Sequence, residues 1–171
     1  MAVLYLMRHG EAESAGAGIG DHERALTEAG GQAVAWMGRA LADAGLVADL
    51  VLCSSAVRAR QTWAILGDAL AVPPRLEEEE ALYLASAPAL AERLSALPPE
   101  VATVLLIGHN PGLHQLALAL ARNNAAPALA AMEQGFPAGA VAVIEFAGRD
   151  WSRLETGVGR LLWFRVPDGA N

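Results

Sequence analysis

Three short stretches of this 171-residue chain end in side chains suited to an anion. They are Arg8-His9-Gly10, Arg58 within residues 54–62, and Gly108-His109-Asn110-Pro111. An arginine guanidinium is a planar fork that matches phosphate or carboxylate oxygens. A neutral histidine serves as nucleophile, base or metal ligand. Gly10 permits a sharp turn or a close approach. Taken singly, each stretch has a plain alternative. Arg8-His9 fits a strand that ends in two polar residues at the surface, Arg58 fits a solvated helical arginine, and His109 fits a ring bonded to a backbone carbonyl. Taken together, Arg8, His9, Arg58 and His109 at three strand ends of one sheet describe a phosphoryl pocket. Phosphoryl transfer asks mainly for positioning, charge neutralisation and an in-line nucleophile.

The elements that must position these groups are visible in the apolar pattern. Residues 3–7, 49–53 and 101–107 read as strands, each running straight into one of the three stretches. The last lacks alternation, which predicts a central strand covered on both faces. Ser55 as N-cap puts Arg58 in the first turn of a helix. There, side chains lean back toward the N-terminus and the helix dipole favours an anion. Arg60, about 200° further round, points elsewhere. Asn110 reads as an N-cap and Pro111 as the first position of a helix running to about Arg122. Thr27 caps a helix over residues 28–44 that buries Val34, Met37 and Leu41 and stops at Gly45. Residues 77–80, four consecutive glutamates, read as a solvated acidic turn before a helical stretch ending near Leu97. A loop rich in Ala, Asn and Pro then precedes strands over residues 140–146 and 161–166, paired antiparallel at or near one edge. The repeated strand-then-helix order predicts an α/β fold with a mostly parallel sheet, its ligand crevice at the carboxyl ends of the strands.

Composition narrows the chemistry. The chain is 54% hydrophobic and 18% charged, the signature of a folded domain. Its net charge of −7 argues against general nucleic-acid binding, which needs a basic face. All 12 basic residues are arginine. Without lysine there is neither a Walker-type phosphate loop nor Schiff-base chemistry. The single Cys53 forms no internal disulfide and reads as a small buried residue whose thiol Arg58 could acidify. The N-terminus lacks a signal-peptide pattern and no apolar run is long enough to span a bilayer, so a cytoplasmic location without membrane contact is expected.

The ordered set of motifs resembles the histidine phosphatase superfamily, which also contains the cofactor-dependent phosphoglycerate mutases, and within it the small SixA-type phosphohistidine phosphatases. The matching pieces are Leu6-Met7-Arg8-His9-Gly10-Glu11-Ala12-Glu13, then residues 21–30 around Arg24-Ala25-Leu26-Thr27, then Arg58-Ala59-Arg60-Gln61-Thr62, then Gly108-His109-Asn110-Pro111. The resemblance implies a single domain over residues 1–171 with a three-layer α/β/α sandwich, a mostly parallel sheet and an antiparallel edge, as in phosphoglycerate mutase. It implies that His9 accepts the phosphoryl group while Arg8, Arg58 and His109 hold its oxygens. No metal or cofactor is needed, because the arginines neutralise the charge. The implied substrate is phosphohistidine in a protein.

Two prolines of the family pattern are Ser55 and Ala25 here. Larger members also carry an acid that protonates the leaving group. One register places Glu78 at that position; another places Leu84 there and leaves no acid, so the proton donor stays unassigned. Three other functions use the same residues. A small-molecule phosphomonoesterase, acting on a phosphorylated metabolite, would share the scaffold. A metal hydrolase would draw on His9, His22, His109 and His114, although their spacing matches no familiar ligand motif. Solvation of a loop is the simple account of His22, and helix packing that of His114. A phosphate-binding module without turnover is the third.

Overall fold

The computed structural model of the chain describes residues 1–16, 18–70, 72–121 and 127–168. Six strands, β1 (Ala2–Arg8), β2 (Leu50–Ser54), β3 (Arg75–Glu79), β4 (Thr103–Gly108), β5 (Val141–Phe146) and β6 (Arg160–Arg165), form one sheet in the order β3-β2-β4-β1-β5-β6. The four strands from β3 to β1 run parallel. β5 is antiparallel to β1, and β6 is antiparallel to β5 at the edge. The mostly parallel sheet with an antiparallel edge thus matches the order expected from the sequence.

Strand side chains alternate between two cores, and the alternation decides which helices cover which face. Leu4, Leu6, Leu50, Leu52, Val104 and Leu106 point to one side. That face is covered by α3 (Ala87–Ser95), α4 (Gly112–Leu120) and α5 (Pro127–Gln134). Met7, Val51, Cys53, Leu105 and Ile107 point to the other, under α1 (Glu28–Asp43) and α2 (Val57–Gly67). Helices lie on both faces, giving the three-layer sandwich. Thr27 caps α1 by accepting from Gly30 N at 2.9 Å. Val34, Met37 and Leu41 are fully buried on its inner face, as the spacing predicts. β4, apolar throughout, sits between β2 and β1.

Several elements depart from the sequence reading. Residues 75–79 form edge strand β3 rather than an acidic turn. Glu77 and Glu79 share one face and meet the guanidinium of Arg93 from α3, which offsets their charges. A 3-10 turn over Glu80–Leu82 follows, and α3 begins only at Ala87, capped by Ser86. The segment taken as a loop before residue 140 contains α5. Helix α2 starts one residue late, with Ala56 as its cap in place of Ser55, and Ala56 N donates to Ser54 Oγ. Pro111 is the cap residue of α4, and the Asn110 amide instead donates to Phe136 O. The predicted end of α4 at Arg122 falls outside the described residues. No helix among the described residues is long and apolar enough to cross a membrane.

Candidate active site

The carboxyl ends of β1, β2 and β4 are adjacent, so the residues that follow them meet. Arg8 ends β1 and His9 comes next; Ser54 ends β2; Gly108 ends β4 and His109 comes next. Arg58, in the first turn of α2, reaches back over the strand ends. It is 2% exposed, and His9 and His109 are 8% and 3% exposed. The structure therefore brings Arg8, His9, Arg58 and His109 together, while Arg60 is exposed as its helical angle predicts.

The turn after β1 is held from two sides. Gly10 N donates to Thr62 Oγ1 at 3.0 Å, and the Thr62 hydroxyl donates to Arg58 O. Gln61 Oε1 accepts from Leu26 N. The Arg-Ala-Arg-Gln-Thr segment therefore positions Arg58 and also fastens the two neighbouring loops. A Cβ at Gly10 would come within 2.7 Å of Val34 Cγ2, and Gly30 in α1 packs directly on the Glu11 backbone. Only glycine fits that approach.

Hydrogen bonds fix the tautomer of His9 and engage both nitrogens of His109. His9 Nδ1–H donates to Gly10 O at 2.7 Å, so Nε2 carries the lone pair, and Arg58 Nε donates to it at 3.1 Å. On His109, Nδ1 accepts from an Arg58 Nη at 3.3 Å, and Nε2–H donates to Ser54 Oγ at 2.6 Å. The ring centroids lie 5.1 Å apart. Burial, with Arg58, Arg8 and Arg24 nearby, pushes His9 down to about 4 despite its bond to Gly10 O. Burial, then His9 and Arg58, pushes His109 down to about 3. Both rings are neutral at neutral pH. Arg8 donates to Phe136 O at 3.0 Å, and its buried Nε–H has no partner among the described residues. Burial and Arg58 lower its pKa. Two guanidiniums thus face two neutral imidazoles with positive potential between them, a setting that favours a multiply charged anion.

Three residues absent from the sequence-level site complete it. Asp21 accepts from Arg58 (3.0 Å), Arg24 (2.7 Å) and the Tyr83 hydroxyl (2.5 Å). These donors, Tyr83 first, hold its carboxyl well below the usual range. Arg24 adds a third guanidinium whose charge is felt at His9. Tyr83 stands edge-on to His109 at 5.4 Å and beneath the Arg58 guanidinium. Arg24 lies in a recognised motif, but its reach to His9 depends on a loop closed by the Ala12–Leu26 bridge. The Asp21–Tyr83 contact spans 62 residues, and no local signal announces it.

The other candidates lie elsewhere. His22 is bonded to Ser55 Oγ at 2.9 Å and stacks edge-on to Tyr83, so it is more than a solvated loop residue. His114 contacts Met132 O and Phe136 on the α4–α5 side. No three His, Cys, Asp or Glu side chains among the described residues converge as a metal site. Glu78 is exposed on edge strand β3, paired in register with Cys53. Glu80, on the turn that follows β3, accepts from Ser55 Oγ at 3.1 Å. Burial and Glu78 push the Cys53 thiol up to about 12, so Arg58 does not acidify it.

Residues 4–82 match the model of the histidine phosphatase superfamily, branch 1. An uncharacterised protein of Mycobacterium tuberculosis is 36% identical over 156 residues, covering 88% of this chain and 93% of its own length. One of Mycobacterium leprae is 34% identical over 153 residues, covering 87% and 90%. Among solved structures, a candidate phosphohistidine phosphatase SixA from Nakamurella multipartitia has a TM-score of 0.85 at 29% identity, covering 98% of this chain and 97% of its own. The protein histidine phosphatase SixA complexed with tungstate has a TM-score of 0.77 at 29% identity, covering 96% and 97%.

Proposed function

Because this chain belongs to branch 1 of the histidine phosphatase superfamily, we propose that it is a metal-independent phosphatase working through a phosphohistidine at His9, with phosphohistidine in a protein as its substrate. The observation that carries this is the fixed tautomer of His9: Nδ1–H is tied to Gly10 O, and Nε2 presents its lone pair beside Arg58. In the first step His9 Nε2 bonds to phosphorus while the bond to the leaving group breaks. Arg8, Arg58 and His109 hold the equatorial oxygens. For His109 to donate, its tautomer switches: Nε2 gives up its proton to solvent and Nδ1 takes one from solvent, while the serine hydroxyl turns to donate to Nε2, so that Nδ1–H faces the phosphoryl group. In the second step water attacks phosphorus and His9 leaves. The proton kept on Nδ1 by Gly10 O makes that leaving group a neutral imidazole.

Substrate choice follows from the acids present. Asp21 is held ionised by three donors, so it has no proton to give. Glu78 is exposed on edge strand β3 and Glu80 accepts from Ser55; among the described residues neither bonds to Arg8, His9, Arg58 or His109. An alkoxide leaving group wants a strong proton donor. A phosphoimidazole is instead protonated on its own free nitrogen and departs as neutral imidazole. The likeness to SixA structures supports the same substrate class. Turnover of a phosphohistidine peptide and of a sugar phosphate, each measured with and without a chelator, tests this. The expected result is faster turnover of the peptide, unaffected by the chelator. Faster turnover of the sugar phosphate makes the protein a small-molecule phosphomonoesterase instead.

A further inference from the structure

Two segments, residues 18–24 and 80–85, flank the site: Asp21 bonds to Arg58, Tyr83 packs on His109, and the Asp21–Tyr83 hydrogen bond joins them. Each turns one large apolar side chain to solvent: Ile19, 54% exposed, and Leu84, 53% exposed. Among the described residues Leu84 is the only non-glycine with a positive φ, at 49°. A Cβ disfavours that region of backbone space. The fold needs the turn, because the next residue, Ala85, packs its carbonyl directly on Gly112 at the start of α4. It does not need a leucine there: glycine would take the same φ without strain and expose nothing apolar. Strain and exposed apolar surface coincide in one residue next to the residue that walls the pocket, a pattern that belongs to function rather than folding.

Charge reverses between pocket and rim. Arg8 and Arg58 supply the interior, whereas the rim carries the exposed carboxylates of Glu23 and Glu80. The Glu23 carboxylate lies beside His22, and that of Glu80 accepts from Ser55. A free phosphorylated metabolite, itself a dianion, must pass that negative collar. A phosphoryl group standing on a basic surface meets complementary charge on approach. We propose that Ile19 and Leu84, with the carboxylates of Glu23 and Glu80, form the docking surface for the phosphorylated protein, and that this partner presents apolar and basic residues beside its phosphohistidine. The proposal rests on the phosphatase function above and adds how the protein chooses among phosphohistidine carriers.

Three probes test it with the wild type and Leu84→Gly: phosphoramidate, a phosphohistidine peptide flanked by Leu and Arg, and the same peptide flanked by Ser and Glu. The wild type is expected to favour the Leu/Arg peptide by about ten-fold in kcat/KM, the value of one partly buried leucine contact, and the advantage should shrink as salt is added. Leu84→Gly should lose most of that preference and hydrolyse phosphoramidate like the wild type. Equal kcat/KM on the two peptides in the wild type overturns the docking surface alone. So does a loss in Leu84→Gly that is as large on phosphoramidate as on peptide. A wild type that hydrolyses none of the three probes removes the phosphatase function and the docking surface together.

Discussion

Acidification should destabilise the protein through two particular imidazoles. His9 and His109 are lowered from their ordinary 6.5 to about 4 and about 3, first by burial and then by neighbouring charge. The unfolded chain therefore takes up these protons before the folded one. Their contribution is complete above pH 6.5 and is lost as pH falls through 6.5 toward the folded values. At pH 5 an unfolded imidazole is about 97% protonated, while either folded ring is about 10% protonated or less. The linkage cost is about 2 kcal/mol for each ring, so about 4 kcal/mol for the pair. The perturbation is a shift from pH 7.5 to pH 5, applied to the wild type and to a His9→Gln/His109→Gln double variant. The assay is urea unfolding at each pH. The wild type should lose about 4 kcal/mol more than the double variant, since His22, His114 and the carboxylates are common to both. Equal losses would mean that the two rings titrate normally in the folded protein. The burial of His9 and His109 as neutral rings down to pH 5 would then be refuted.

Other perturbations separate binding, positioning and packing. Arg58→Met keeps the volume and removes every hydrogen bond from the guanidinium to His9, Asp21 and His109; steady-state assays should show a drop of about 10²–10³ in kcat/KM. Ser54→Ala deprives His109 Nε2 of its one hydrogen-bond partner among the described residues, and kcat should fall about ten-fold while Tm falls by a few degrees. Gly30→Ala places a methyl against the Glu11 backbone and should displace the turn that carries His9; reduced kcat together with a lower Tm would show it.

How much could be read from the sequence depended on where each determinant lies. β1, β2 and β4 are central, and their unbroken apolar runs announce them. β3 is an edge strand in which one apolar residue, Leu76, is followed by three glutamates; it becomes a strand through pairing with β2 and through Arg93, which lies 14 residues beyond Glu79. α5 has only eight residues and lies in a stretch rich in Asn, Ala and Pro, so composition alone suggests a loop. The four residues at strand ends were legible because strand, turn and helix place them locally. Asp21, Arg24 and Tyr83 were not, since their positions come from loops closing over long sequence distances. The four glutamates show the same limit: Glu77 and Glu79 meet Arg93, Glu80 meets Ser55, and Glu78 is exposed.

Phosphoryl transfer to His9 is best tested by trapping. The wild type and His9→Ala are mixed briefly with labelled phosphoramidate, quenched and treated with acid or base. The wild type should hold a label that survives base, is lost in acid and maps to His9, while His9→Ala holds none. Label retained by His9→Ala, or label on the wild type that survives acid, would place the chemistry on another residue and contradict the mechanism.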